Sequence, residues 1–159
     1  ALVRPPWRSH AAGMQEPAGA SFYSPAARMA LMKFSLILYG FYVLMKFTAL
    51  YDTAFRARIA EKDFNLTIRT DDGSRARTYA CRGGKLSSRR GQSPNAEFSL
   101  IWKDAAIGFR YLSAMKPSAL VKAITAGDLK LAGEASAVSR FLETFKLMMA
   151  AYRKKNNSK

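Results

Sequence analysis

The chain has 159 residues, short of the length at which polypeptides usually divide into several cores, so one core is expected. Hydrophobic residues make up 49% and charged residues 23%, enough apolar surface to offset ordering entropy, which excludes wholesale disorder. The 26 Lys and Arg against 11 Asp and Glu leave a net charge of +15, a balance that draws anionic partners such as nucleic acid, an acidic membrane face or a negatively charged assembly.

Residues 1–28 are rich in Ala, Pro, Ser and Gly, carry Arg4, Arg8 and Arg28 against Glu16 alone, and show no hydrophobic period. They read as an extended arm, and the acid-poor, Arg-bearing composition resembles the remnant of a mitochondrial import sequence. His10, the only histidine, lies in this arm, so a Ser or Cys nucleophile elsewhere would lack a placed base.

Residues 29–51 are the most apolar stretch, interrupted only by Lys33 and Lys46, and a helix drawn through them is apolar on every face. Such a helix belongs in a membrane, in a partner or in the core of its own domain. The uncharged run between the two lysines is shorter than a bilayer span requires. Yet Lys33 and Lys46 sit near its ends, where long stems snorkel to headgroups, and Tyr39, Tyr42 and Tyr51 have polar tips suited to an interface. Lys33, Tyr39, Tyr42 and Lys46 are the candidate membrane contacts. Basic residues on both sides leave its orientation open. The hydrophobic segment is taken as residues 29–60.

From Asp63 the period changes to two. Phe64, Leu66 and Ile68 face one way, Asn65, Thr67 and Arg69 the other, and Asp72 and Gly73 close the strand. Asp71 and Asp72 sit where a hairpin turn is expected, not in the apolar setting that carboxylate catalysis needs. A second strand runs from about Arg75 to Arg82, and Gly83 and Gly84 turn it into a third through Leu86. The single cysteine, Cys81, rules out an intrachain disulfide and the ligand sets of structural zinc. After Pro94 and Asn95, the residues Ala96, Phe98, Leu100 and Trp102 alternate with Glu97, Ser99, Ile101 and Lys103 as a fourth strand.

Asp104 is a helix cap ahead of Ile107, Tyr111 and Met115, and Pro117 stops that helix and opens another that ends at Gly127. A short strand follows, with Leu129 and Leu131 inward. The last element is an amphipathic helix from about Ser136, with Val138, Phe141, Leu142, Phe145, Met148 and Met149 on one face, and residues 151–159 form a basic tail. No phosphate-binding glycine loop, dinucleotide fingerprint or zinc-protease helix occurs. No catalytic residue, metal site or cofactor is assigned, and an enzyme is not expected.

This order gives an α+β architecture: a five-stranded, mostly antiparallel sheet with helices on one face, preceded by a long hydrophobic helix. Over residues 61–150 the chain resembles the sterol carrier protein 2 family of lipid-binding domains. The resemblance is carried by RGGKL at 82–86, NAEFSLIWKD at 95–104 and, most specifically, AITAGDLKLAGEAS at 123–136 with the helix after it. It implies an apolar tunnel between sheet and helices that binds acyl chains, sterols or related lipids without chemistry. The implied lining is Phe64, Leu66, Ile68, Phe98, Leu100 and Trp102 from the sheet. From the helices it is Ile107, Leu112, Leu120, Ile124, Phe141, Phe145 and Met149. By themselves these residues read only as an apolar core.

Two functions are therefore expected in competition. One is a membrane-held lipid-binding domain with a bound lipid in place of a cofactor. The other is an accessory structural subunit of a large mitochondrial inner-membrane assembly, a respiratory complex or ATP synthase, with protein partners and the same fold used as scaffold. The cations from Arg69 to Arg90 suit anionic headgroups or a protected sheet edge. Nucleic acid is an unlikely partner, because no strand of stacking aromatics accompanies those charges.

Overall fold

The computed structural model describes residues 24–159. The elements are α1 (Pro25–Tyr51), α2 (Thr53–Ala60), β1 (Phe64–Thr70), β2 (Ala76–Arg82), β3 (Lys85–Arg90), β4 (Phe98–Trp102), α3 (Ala105–Ser113), α4 (Pro117–Thr125), β5 (Leu129–Gly133) and α5 (Ala135–Asn157). The arm expected at 1–28 lies outside the described residues as far as residue 23, and from Pro25 the chain is already helical. Ser24 accepts a hydrogen bond from the Ala27 amide at 3.2 Å, and Pro25 occupies the first turn, where a missing N–H costs nothing.

The segment expected to run to residue 60 divides at Asp52. Its amide donates to the Thr48 carbonyl at 2.8 Å and closes α1, while its Oδ1 accepts from the Phe55 amide at 2.7 Å and opens α2. At the other end, the basic residues after 150 are not a free tail but continue α5 to Asn157, and Lys155 Nζ lies 4.4 Å from the Tyr51 ring centre.

The strand order is β3-β2-β1-β4-β5, antiparallel throughout except for the parallel β1–β4 pair. Register places Leu66 beside Tyr79 and Phe98, and Ile68 beside Leu100, so the two-residue period gathers one apolar face across the central strands. The helices cover that face. The Tyr79 hydroxyl crosses the layer to donate to the Leu38 carbonyl of α1 at 2.7 Å.

Along α1, Leu31, Phe34, Leu38, Phe41, Met45 and Thr48 recur at three- and four-residue spacing and are buried. The opposite side stays bare, with Leu36 64% and Leu50 74% exposed and Met29, Met32 and Phe47 about half exposed. The helix expected to be apolar on every face thus carries two stripes, one in the core and one uncovered.

Thr67, expected on the solvent side of β1, is fully buried. The connection from β3 must pass β2 and β1 to reach β4, and residues 91–97 do so over the outer face. Thr78 Oγ1 donates to the Gly91 carbonyl at 2.8 Å, lies 3.0 Å from Thr67 Oγ1, and the Glu97 amide donates to the Asn65 carbonyl at 2.8 Å. The covering loop thereby satisfies the hydroxyls it buries.

Gly108 permits the closest helix contact. A Cβ there would lie 2.5 Å from Phe34 Cε2 and 3.0 Å from Trp102 Cγ, both on fully buried rings. Gly108→Ala gains about 1 kcal/mol of helix propensity but loses about 1–3 kcal/mol to overpacking. Urea unfolding is expected to show net destabilisation, and a net gain would contradict this packing.

Burial pushes the Tyr79 phenol above its ordinary value of 10.0, with the nearby Arg77 charge opposing. Because the unfolded chain loses that proton first, this contribution to stability is full below about pH 10 and is lost as pH rises beyond it. Tyr79→Phe is expected to cost about 1 kcal/mol at neutral pH and to flatten the alkaline decline in thermal unfolding curves.

Candidate functional site

Two hollows lie in the helix layer. The first sits between the sheet and α5, where the resemblance puts a lipid tunnel. Phe64, Leu66, Phe98, Phe141 and Phe145 meet there with Phe41 and Met45 of α1, around a free volume of only about 30 Å³. That is room for about two water molecules. A run of rings fills the rest, with centres 5.4 Å apart for Phe98 and Phe141, 6.0 Å for Phe141 and Phe145, 6.0 Å for Phe145 and Phe41, and 5.5 Å for Phe41 and Tyr79. These separations are those at which aromatic pairs attract. The rim is charged: Arg58 pairs with Glu61 and Glu143, Arg140 pairs with Glu97 at 3.1 Å, and Lys62 adds a further cation.

The second hollow lies across the stacked Phe41–Phe145 pair and holds about 300 Å³. Ile37, Gly40, Phe41 and Leu44 of α1 form one wall, Leu112 and Met115 another, and Phe145 and Tyr152 of α5 the third. Apart from the tyrosine hydroxyl, these side chains are apolar. Nothing lies within 4 Å of a Cβ built on Gly40, so the absent side chain is part of the opening. Met115 holds a φ of 54° where α3 gives way to the turn before Pro117, and its unbranched thioether faces the space.

The remaining lining candidates go elsewhere. Ile68, Leu100, Trp102, Leu120 and Met149 are sealed in the core and line neither hollow, Trp102 stacking on Tyr111 at 5.9 Å. Ile107 packs against that core while half-buried, and Ile124 is 38% exposed on α4. Lys33 and Lys46 are both exposed and flank the bare stripe of α1, their Nζ atoms 5.8 Å from the Phe109 ring centre and 5.5 Å from that of Tyr42. Tyr39 is exposed beside the half-buried Tyr42.

The second hollow escapes the sequence reading because most of its wall comes from α1 and from Tyr152. The signal for α1 is present in the spacing of Phe34, Leu38, Phe41 and Met45, but apolar residues on the other face mask it. Cys81 is buried, its thiol pushed up by burial, and its Sγ donates to the Ile59 carbonyl at 3.4 Å, as in an inert core position. Among the described residues no three His, Cys, Asp or Glu side chains gather to hold a metal ion.

No family model and no curated protein matches the chain. Among solved structures it is similar to the UbiJ-SCP2 ubiquinone synthesis protein, with 17% identity over 71% of this chain and 96% of that one and a TM-score of 0.53. A crystal structure of sterol carrier protein 2 matches 84% of this chain and 98% of its own at 13% identity, TM-score 0.44. The alkylsulfatase Pisa1 from Pseudomonas sp. matches at 20% identity and a TM-score of 0.43, where 56% of this chain spans 14% of the enzyme. At such identities the likeness speaks for the fold alone, and the fold of this chain is that of the sterol carrier protein 2 domains.

Proposed function

We propose that the chain is a non-enzymatic lipid-binding domain that rests on a membrane, taking an acyl chain into the hollow between α1, α3 and α5. The observation that carries this reading is the apolar space of about 300 Å³ whose α1 wall includes Gly40, next in sequence to the exposed Tyr39 and one turn from Leu36 on the bare stripe. The volume is at the lower end of small-molecule sites, which suits a single flexible chain. Rotation of Phe41 and Phe145 would extend that chain toward the sheet. α1 is long and apolar enough to cross a bilayer, but its inner stripe is committed to the sheet, which supports a helix lying along the interface.

The scaffold reading keeps two specific supports: the ring-filled space under the sheet, and the uncovered stripe on the opposite side of α1, which suits a partner helix. Its mitochondrial setting rests on the composition of residues 1–28.

Native mass spectrometry of detergent-free protein is expected to show a co-purifying lipid, and a fluorescent fatty acid is expected to bind and be displaced by an unlabelled one. Gly40→Leu should remain folded, gain about 1 kcal/mol from helix propensity and lose at least about tenfold in probe affinity by filling the hollow. A protein that takes up no chain favours the scaffold, whose measurement is co-migration with a large complex in blue-native gels. The bare stripe has its own test. Leu36→Gln combined with Leu50→Gln should weaken sedimentation with vesicles by more than about tenfold while leaving the melting temperature unchanged, because neither side chain is in the core.

A further inference from the structure

Along the other flank of α1 runs an open groove of about 890 Å³ between the helix and the β2–β3 hairpin. Met32, Leu36 and Tyr39 form its helix wall, Arg77 and Arg90 reach it from β2 and β3, and Arg75 reaches it from the turn before β2. Arg77 and Arg90 are direct register partners on the face of the sheet that also carries Tyr79. Like charges directly opposite one another destabilise a strand pair. Here no carboxylate offsets the repulsion: among the described residues none pairs with Arg75, Arg77 or Arg90. Arg77 is held in place by its Nη1 donating to Ser88 Oγ at 2.8 Å and by its guanidinium lying 5.3 Å from the Tyr39 ring centre.

Protection of the sheet edge accounts for cations on β3 but not for Arg77, which sits on β2 inside the sheet. We propose that the groove is a docking site for the phosphate-bearing headgroup of an anionic phospholipid in a bilayer. Arg77 and Arg90 take the headgroup oxygens, and Met32, Leu36 and Tyr39 lie against the chains below it. The planar fork of a guanidinium suits a phosphate, and the apolar wall would serve no purpose for a free anion. This rests on the reading of the bare α1 stripe as membrane-facing and adds to it a headgroup class and the residues that choose it.

The test compares full-length protein on phosphatidylcholine vesicles and on equal mixtures of phosphatidylcholine and phosphatidylglycerol. The wild type is expected to prefer the mixed vesicles. Arg77→Gln with Arg90→Gln should lose about 30-fold on them, since each surface cation near the headgroups contributes about 1 kcal/mol. A control of equal charge change, Lys122→Gln with Lys130→Gln, removes exposed cations of α4 and β5 and should lose less than about threefold. Should the first pair fail to fold, Arg90→Gln alone, at an exposed position, should still lose about fivefold. Inorganic phosphate at matched ionic strength should not displace the protein.

Equal losses in both pairs would overturn the site in favour of diffuse attraction. Displacement by phosphate would reassign the groove to a soluble anion, and retention on RNA in place of vesicles would reassign it to nucleic acid. A wild type that binds both vesicles alike removes this proposal and leaves the membrane reading standing, whereas one that binds neither removes both.

Discussion

A sheet with Leu66, Ile68, Tyr79, Phe98, Leu100 and Trp102 on one face has to be roofed, and α5 cannot cover that width alone. α1 supplies the rest. Its inner stripe places Phe34, Leu38, Phe41 and Met45 out of water, and burying four such side chains contributes on the order of 10 kcal/mol as an upper bound, comparable with the whole net stability of a domain. The Tyr79 hydroxyl, which cannot be left unpaired once buried, fixes where along the helix the contact falls. Gly108 lets α3 close against the same helix, and the break at Asp52 turns the chain back toward β1. The bare stripe follows from the same docking, because a helix apolar on two sides that buries one must present the other.

That docking also decides where space remains. The rings from Phe98 to Tyr79 occupy the layer directly under the sheet, and the free volume moves outward to a gap walled by three helices. A bound chain there would touch side chains of α1, α3 and α5 and leave the strands dry. Phe41 and Phe145 belong to both walls, so their rotamers set the partition between the filled side and the open one.

Much of the fold is legible in the residues. The alternation of Phe64, Leu66 and Ile68, the turn at Asp72 and Gly73, the Asp104 cap and Pro117 each act through local geometry that sequence alone dictates. What stayed hidden depends on neighbours. Two apolar stripes on α1 cancel each other in any periodicity, so the core-facing one cannot be told from the bare one until the sheet is in place. Thr67 reads as solvent-facing because nothing local announces that residues 91–97 will cover it. Most of the lining candidates are buried, but burial and cavity are different properties: Trp102 is fully buried and stacked on Tyr111, whereas Gly40 lines a cavity by having no side chain.

The crossing of residues 91–97 has a consequence for how the chain assembles. The pairings among β1, β2 and β3 close short loops, whereas β1–β4 joins residues as distant as Leu66 and Phe98, and the entropy of closing that loop must be met before its contacts form. The three-stranded meander is thus the piece that can exist first, with Thr67 and Thr78 still hydrated. When β4 arrives it lays its own leader across them, so the parallel pairing in the centre of the sheet and the sealing of its outer surface are one event.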